Sequence, residues 1–114
     1  MVLTGDTAPC EMTRAVARGA DLLVHETTFM EDEAGRARET GHSTARAAAE
    51  LAASADVGLL ALTHVSSRYG GGDVRDEARA EFERTIVPRD FDRVEIPFPE
   101  RGPPEHVRSD ISDV

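Results

Sequence analysis

The chain has 114 residues, with 22 Asp or Glu against 13 Arg and no Lys, and a net charge of −9. Its length suits one ordinary domain and excludes two. The acidic charge disfavours a nucleic-acid interface made from basic patches alone, unless a bound metal or a high working salt offsets it. The Lys-free acidic composition is typical either of a salt-rich cytoplasm or of GC-rich codon usage.

The single cysteine, Cys10, excludes an internal disulfide, and no zinc-finger spacing is present. The amino terminus lacks the pattern of a signal peptide, and no apolar run approaches the ~20 residues that span a bilayer. We therefore expect a cytoplasmic protein with no membrane association. The sequence has four Phe, one Tyr and no Trp, which are few aromatic side chains for a hydrophobic core. This content fits a piece of a larger domain better than a self-contained one.

Apolar runs and helical patterns alternate along the first half of the chain. A short strand ends before Gly5, and a helix follows over 9–21, with Thr7 as a candidate N-cap and Gly19 near its end. A strand covers 21–26, and the polar segment 27–41 is a loop or a short exposed helix. An alanine-rich helix over 42–55, with Ser43 as its candidate N-cap, is the clearest helix.

The second half repeats this alternation. A buried strand covers 57–64, a charged amphipathic helix covers 74–87, and a terminal strand covers 91–98. The segment 99–114, with Pro103 and Pro104, is expected to be disordered. Strands separated by helices predict a layered α/β fold.

Chemically active side chains follow three of these strands. Asp6, the pair His25 and Glu26, and His64 lie at strand ends, where open α/β sheets place their ligand crevices. Each also has an ordinary structural explanation. Asp6 could serve only to cap the following helix, and His64 could lie in a solvated turn. On a strand, neighbouring residues point to opposite faces, so one of His25 and Glu26 would point inward and the other outward. His42 is also explained as an incidental neighbour of a capping Ser43.

Four motifs, taken together, favour one family. "GDT", "HET", "GHST" and "LTHVSSRY" resemble, in order and spacing, the carboxy-terminal half of ribonuclease Z. That family is a metallo-β-lactamase-fold endonuclease that trims the 3′ end of precursor tRNA with two zinc ions. The resemblance covers about residues 2–98. It implies that 1–98 form the carboxy-terminal half of an αββα sandwich, followed by the tail 99–114.

The resemblance also implies roles for individual residues. Asp6 matches the aspartate that bridges both metal ions, and His64 matches a histidine ligand of the second zinc. His42 matches the residue that protonates the departing 3′ oxygen, and Glu26 orients it. Two zinc ions can generate a hydroxide near neutral pH, and an imidazole tied to a carboxylate suits a general acid.

The turn after His64 is implied to meet the end of the tRNA acceptor stem through Ser66, Ser67 and Arg68. Hydroxyl and guanidinium groups suit an anionic oxygen substrate on independent grounds. Two departures from the family pattern are mild: Thr27 where Ala is common, and Val65 where a bulkier residue is common.

One departure is serious, because the family's HxHxDH motif is absent and the sequence has only four His. Whether the chain is an enzyme is therefore open. We expect it to be inactive without a missing amino-terminal half or a homodimer partner, and to expose the sheet face which that half should cover. The alternatives are another phosphodiesterase or hydrolase of the same fold, and a non-catalytic fragment.

Overall fold

The computed structural model of the chain describes residues 1–3, 11–65, 69–89, 92–96 and 102–108. A four-stranded parallel sheet, in the order β1-β2-β3-β4, is the centre of the fold. Its strands are β1 (Val2–Leu3), β2 (Leu22–Glu26), β3 (Leu59–Thr63) and β4 (Thr85–Ile86). The predicted α/β class is confirmed.

Four helices connect these strands. They are α1 (Glu11–Ala17), α2 (Ala34–Thr40), α3 (Ala45–Ala55) and α4 (Gly71–Arg79), and a short 3-10 helix at Glu31–Glu33 precedes α2. The helix predicted over 9–21 is confirmed for Glu11–Ala17, and it ends earlier than expected. Gly19 follows α1 with φ of +72°, a conformation that glycine adopts without the cost that a side chain brings.

Helix α3 packs closely against the sheet because its inward face is almost entirely alanine. Six of its residues are buried, namely Ala45, Ala48, Ala49, Leu51, Ala52 and Ala55. They share a core with Leu23 and Leu60 of the two central strands and with Val74 of α4. The small side chains let the helix approach the sheet, as the sequence predicts.

The residue that caps α3 is Thr44, and the prediction of Ser43 is wrong. The Thr44 hydroxyl accepts a hydrogen bond from the Ala47 backbone N–H at 3.1 Å. The Ser43 backbone N–H instead donates to the Glu26 carboxylate. Serine and threonine are both favoured N-cap residues, and here the contact between Ser43 and Glu26 decides which of them caps the helix.

The helix predicted over 74–87 ends earlier than expected. Helix α4 stops at Arg79, and Thr85 and Ile86 form strand β4 beside β3. The β-branched run before Pro88 favours an extended chain, and the Thr85 hydroxyl donates to the Phe82 carbonyl at 2.6 Å. The fourth strand of the sheet therefore comes from a segment that was predicted to be helical.

The opposite face of the sheet is covered, contrary to expectation. Leu22, Leu59, Ala61 and Ile86 are buried there, with Val94 packed against them. Val94 belongs to β5 (Arg93–Glu95), which pairs antiparallel with β6 (Glu105–Val107). Strand β6 lies inside the segment 99–114 that was expected to be disordered.

None of the helices in the described part of the chain is both long and apolar enough to cross a membrane.

Candidate active site

The carboxyl ends of β2 and β3 place the candidate residues at one edge of the sheet. Glu26 pairs in register with Thr63, and the Thr27 backbone N–H donates to the Thr63 carbonyl at 2.8 Å. His64 is the next residue after Thr63. Because parallel strands end at the same edge of a sheet, Glu26 and His64 both lie at this edge, although they are far apart in the sequence.

Glu26 is a buried carboxylate held by several donors. Its side chain is fully buried. Oε1 accepts a hydrogen bond from the Ser43 backbone N–H at 2.6 Å. Oε2 accepts from the Thr28 backbone N–H and from the Thr28 hydroxyl, both at 2.9 Å. These bonds supply the compensation that a buried charge needs, and they fix the position of the carboxylate.

His42 faces this carboxylate. Its Nδ1 lies 3.6 Å from Glu26 Oε1 and 3.4 Å from the Thr28 hydroxyl oxygen. Because the Thr28 hydroxyl donates its only proton to Glu26, its oxygen is left to accept from a protonated Nδ1. The His42 side chain is 25% exposed. Nε2 is then the nitrogen through which the ring can exchange a proton with a ligand.

The loops on either side hold the pair in place. Gly41 ends α2 with φ of +73°, which turns the chain toward the sheet before His42. Phe29 and Thr44 form a parallel bridge, and the Ala45 backbone N–H donates to the Phe29 carbonyl at 2.9 Å. The Phe29 ring also meets the His42 ring edge to face, with centroids 6.1 Å apart. The segment after β2 and the segment before α3 are thus joined around the site.

His25 is buried as well as Glu26, so the expectation that one of the two points inward and the other outward is wrong. Strand β2 is central in the sheet, and both of its faces are covered. His25 Nδ1 lies 2.8 Å from the Glu26 carbonyl oxygen, which can only accept, so Nδ1 carries the proton. Nε2 is buried without a hydrogen-bond partner, and burial lowers the pKa of His25 from its ordinary value of 6.5.

His64 has an unusual backbone conformation. Its φ is +56°, in the left-handed region that non-glycine residues seldom occupy, and its side chain is exposed. Such strained positions cluster at functional sites. The sequence locates His64 at a strand end but gives no signal for this conformation.

The remaining candidate residues lie outside the described residues, namely Asp6, Ser66, Ser67 and Arg68. Within the described ranges, no group of three or more His, Cys, Asp or Glu side chains is placed to hold a metal ion. Those residues therefore do not by themselves fit a complete zinc site.

Thr28 is a site residue that the sequence analysis missed. Its hydroxyl bridges the Glu26 carboxylate and the His42 ring. The available signal was a hydroxyl two residues after a glutamate at a strand end, where side chains commonly bond back to local polar groups. That signal is weak, because Thr27 in the same motif instead directs its hydroxyl to the Phe29 carbonyl at 3.4 Å.

Comparison with known proteins agrees with the predicted resemblance. No family model matches the chain. Curated ribonuclease Z proteins are similar to it: that of Gemmatimonas aurantiaca is 51% identical over 102 residues, and that of Natronomonas pharaonis is 50% identical over 103. These matches cover 88% of the chain but only 32% and 33% of the two relatives. The chain thus spans about a third of their length, less than the predicted half.

Two solved structures have a similar fold. Human tRNase Z, short form, is 30% identical with a TM-score of 0.66, over 84% of this chain and 33% of its own. The metallo-β-lactamase fold protein YhfI from Bacillus subtilis is 29% identical with a TM-score of 0.66, over 75% and 34% respectively. The predicted metallo-β-lactamase-type fold is confirmed, and the match fits a carboxy-terminal portion.

Proposed function

We propose that this chain, which matches a carboxy-terminal portion of ribonuclease Z in sequence and fold, supplies the proton-donating side of an endonuclease site that removes the 3′ trailer from precursor tRNA. The observation that carries the proposal is the pairing of His42 with the buried Glu26 at 3.6 Å. Ribonuclease Z relatives over 88% of the chain support the choice of substrate.

In this proposal His42 is the general acid. Hydrolysis of the phosphodiester bond leaves a 3′ alkoxide on the tRNA, which is a poor leaving group unless it is protonated. His42 donates the Nε2 proton to that oxygen as the P–O bond breaks. Glu26 and Thr28 act on the other ring nitrogen, where they hold the orientation of the imidazole. General acids of this kind contribute roughly 10²- to 10⁴-fold to a rate.

The other roles rest on the resemblance. Asp6 and His64 are proposed as two ligands of the zinc ions, and Ser66, Ser67 and Arg68 as contacts to the tRNA acceptor end. The relatives are about three times as long as this chain, so the remaining zinc ligands would come from an amino-terminal half. A second copy of the chain is the alternative source. The assembled protein would work in the cytoplasm, with 1–98 and the paired strand β6 as its partial domain.

The proposal is tested in a chimera in which this chain replaces the matching third of the Gemmatimonas aurantiaca ribonuclease Z. We expect the chimera to cleave precursor tRNA at the 3′ trailer. His42→Ala should lower kcat by about 10²- to 10⁴-fold with little change in KM. Arg38→Ala, on the exposed last turn of α2, is the control and should leave kcat unchanged.

A second substrate separates proton donation from a purely structural role of His42. Bis(p-nitrophenyl) phosphate releases a stable phenolate, so its cleavage should fall less than about tenfold in His42→Ala. An equal loss on both substrates would contradict the role as general acid. If the chimera cleaves only the small ester, it is another phosphodiesterase of this fold. For the metal role, His64→Ala should reduce the zinc content of the purified chimera.

A further inference from the structure

A basic cavity lies away from the His42 and Glu26 pair, between α4, the end of β4 and the β5–β6 hairpin. Its volume is about 360 Å³, and four arginines and one histidine line it, namely Arg75, Arg79, Arg89, Arg108 and His106. No Asp or Glu is among its lining residues in the described part of the chain. Such a concentration of cations is unexpected in a chain with a net charge of −9.

The cavity is formed by two elements with fixed side chains. Arg75 and Arg79 lie one turn apart on α4, and Arg79 Nε donates to the Thr85 carbonyl at 2.9 Å, which orients its guanidinium. On the hairpin side, His106 Nε2 lies 2.9 Å from Oδ2 of Asp92, whose side chain is 1% exposed. The two walls are therefore held by bonds that do not involve a ligand.

One donor in this wall lacks a partner. Arg75 Nε is buried without a hydrogen bond, and its nearest carboxylate oxygen, Oδ1 of Asp76, is 3.7 Å away. That distance is too long for a hydrogen bond, and an unsatisfied donor costs free energy. Nε itself is shielded from solvent, so an anion in the cavity would stabilise Arg75 through the positive charge of its guanidinium group.

From this arrangement we infer that the cavity binds a phosphate group. Guanidinium groups offer planar pairs of donors that match phosphate oxygens, and several around one concave site bind a compact anion far better than scattered surface arginines do. The phosphate has two possible sources, an RNA backbone or a free inorganic phosphate. Binding of an RNA backbone rests on the proposed function, whereas binding of inorganic phosphate does not. Phosphate binding can be measured without any cleavage of RNA.

The test is calorimetric titration of the full 114-residue chain in phosphate-free, low-salt buffer with a chelator, using inorganic phosphate as the probe. We expect saturable binding with one phosphate per chain. Arg75→Gln combined with Arg108→Gln should weaken it at least about tenfold. The control, Arg46→Gln combined with Arg93→Gln, changes the net charge equally on arginines outside the cavity and should change the affinity less than about twofold.

A short unstructured oligoribonucleotide, titrated in parallel, identifies the source. If it binds at least about tenfold more tightly than phosphate and the cavity variant weakens both, the cavity serves an RNA backbone. Binding of phosphate alone identifies the free anion as the ligand. The inference is overturned if phosphate does not bind, if acetate binds equally well, or if cavity and control variants weaken binding alike. Arg108→Gln alone, at an exposed position, keeps the test valid if the double variant fails to fold.

Discussion

At the scale of single residues, His25 links the fold to pH. Its ring is fully buried, and desolvation lowers its pKa, although the Glu26 carbonyl and carboxylate act in the opposite direction. In the unfolded chain His25 titrates near its ordinary 6.5. Between that value and the lower folded pKa, only the unfolded chain takes up the proton. Stability is therefore present above pH 6.5 and is lost as the pH falls below it.

We expect the free energy of unfolding of the chain to decrease on acidification below neutral pH, by up to about 1.4 kcal/mol per pH unit from this residue. Urea denaturation at a series of pH values measures it. His25→Asn keeps a donor for the Glu26 carbonyl but cannot titrate, so its unfolding free energy should fall less steeply. Equal pH dependence in the two proteins would contradict the assignment.

Some features of the candidate site can be predicted from the sequence, and others depend on the three-dimensional fold. Glu26 and His42 were identified from their motifs, and the geometry brings them together. The sequence could not predict that Thr28 bridges them or that His64 adopts a positive φ. Both features depend on where neighbouring chain segments meet, which local spacing does not specify.

At the scale of elements, the junction before β3 depends on a glycine that cannot accept a side chain. A Cβ at Gly58 would lie 2.6 Å from the Asp21 carbonyl oxygen. The Gly58 backbone N–H also donates to the Ala20 carbonyl at 2.8 Å, which ties the start of β3 to the start of β2. A methyl group there must displace backbone, so the two central strands would shift relative to each other.

Gly58→Ala should destabilise the chain by about 1–3 kcal/mol in urea denaturation. The matched control is Gly35→Ala in α2, where the nearest atom to the new Cβ is an Arg38 nitrogen at 4.0 Å. That substitution should stabilise by about 0.5–1 kcal/mol, since alanine is the better helix former. The two substitutions should therefore change the free energy of unfolding in opposite directions. If Gly58→Ala left it unchanged, the close approach of residue 58 to the Asp21 carbonyl would be refuted.

Elements differ in how well the sequence predicts them. Strands β2 and β3 and helix α3 are long, apolar or alanine-rich, and they were located correctly. Strand β4 has only two residues after a helix-favouring run, and it forms because the edge of β3 is available. Local preference cannot reveal such a partner, nor the pairing of β6 with β5.

At the scale of the whole molecule, both faces of the sheet are covered, although the chain spans only about a third of the length of its relatives. This differs from the expectation that one face of the sheet would be exposed. Leu22, Leu59, Ala61 and Ile86 are buried within this chain, with Val94 of the hairpin against them. Burial of apolar surface on both faces of the sheet favours a chain that folds by itself. In the function proposed above, folding and catalysis are then separate requirements, and only catalysis would need metal ligands from outside this chain.

The net charge of −9 acts on the whole fold through self-repulsion. Added NaCl screens that repulsion, so we expect the free energy of unfolding to rise with salt, by on the order of 1 kcal/mol. Salt also strengthens the burial of apolar surface, so its effect on charge repulsion must be separated from its effect on the core.

A variant with four exposed acidic side chains neutralised separates these two effects of salt. Its substitutions are Asp21→Asn, Glu39→Gln, Asp56→Asn and Glu83→Gln.

This variant should be more stable than the parent chain in low salt, and its unfolding free energy should rise less with NaCl. The comparison is made by urea denaturation at matched salt concentrations. Because both proteins share the same core, any apolar effect of salt is common to them, and the difference in their salt response reports repulsion alone. Parallel salt responses would show that repulsion among the acidic side chains does not measurably destabilise the fold.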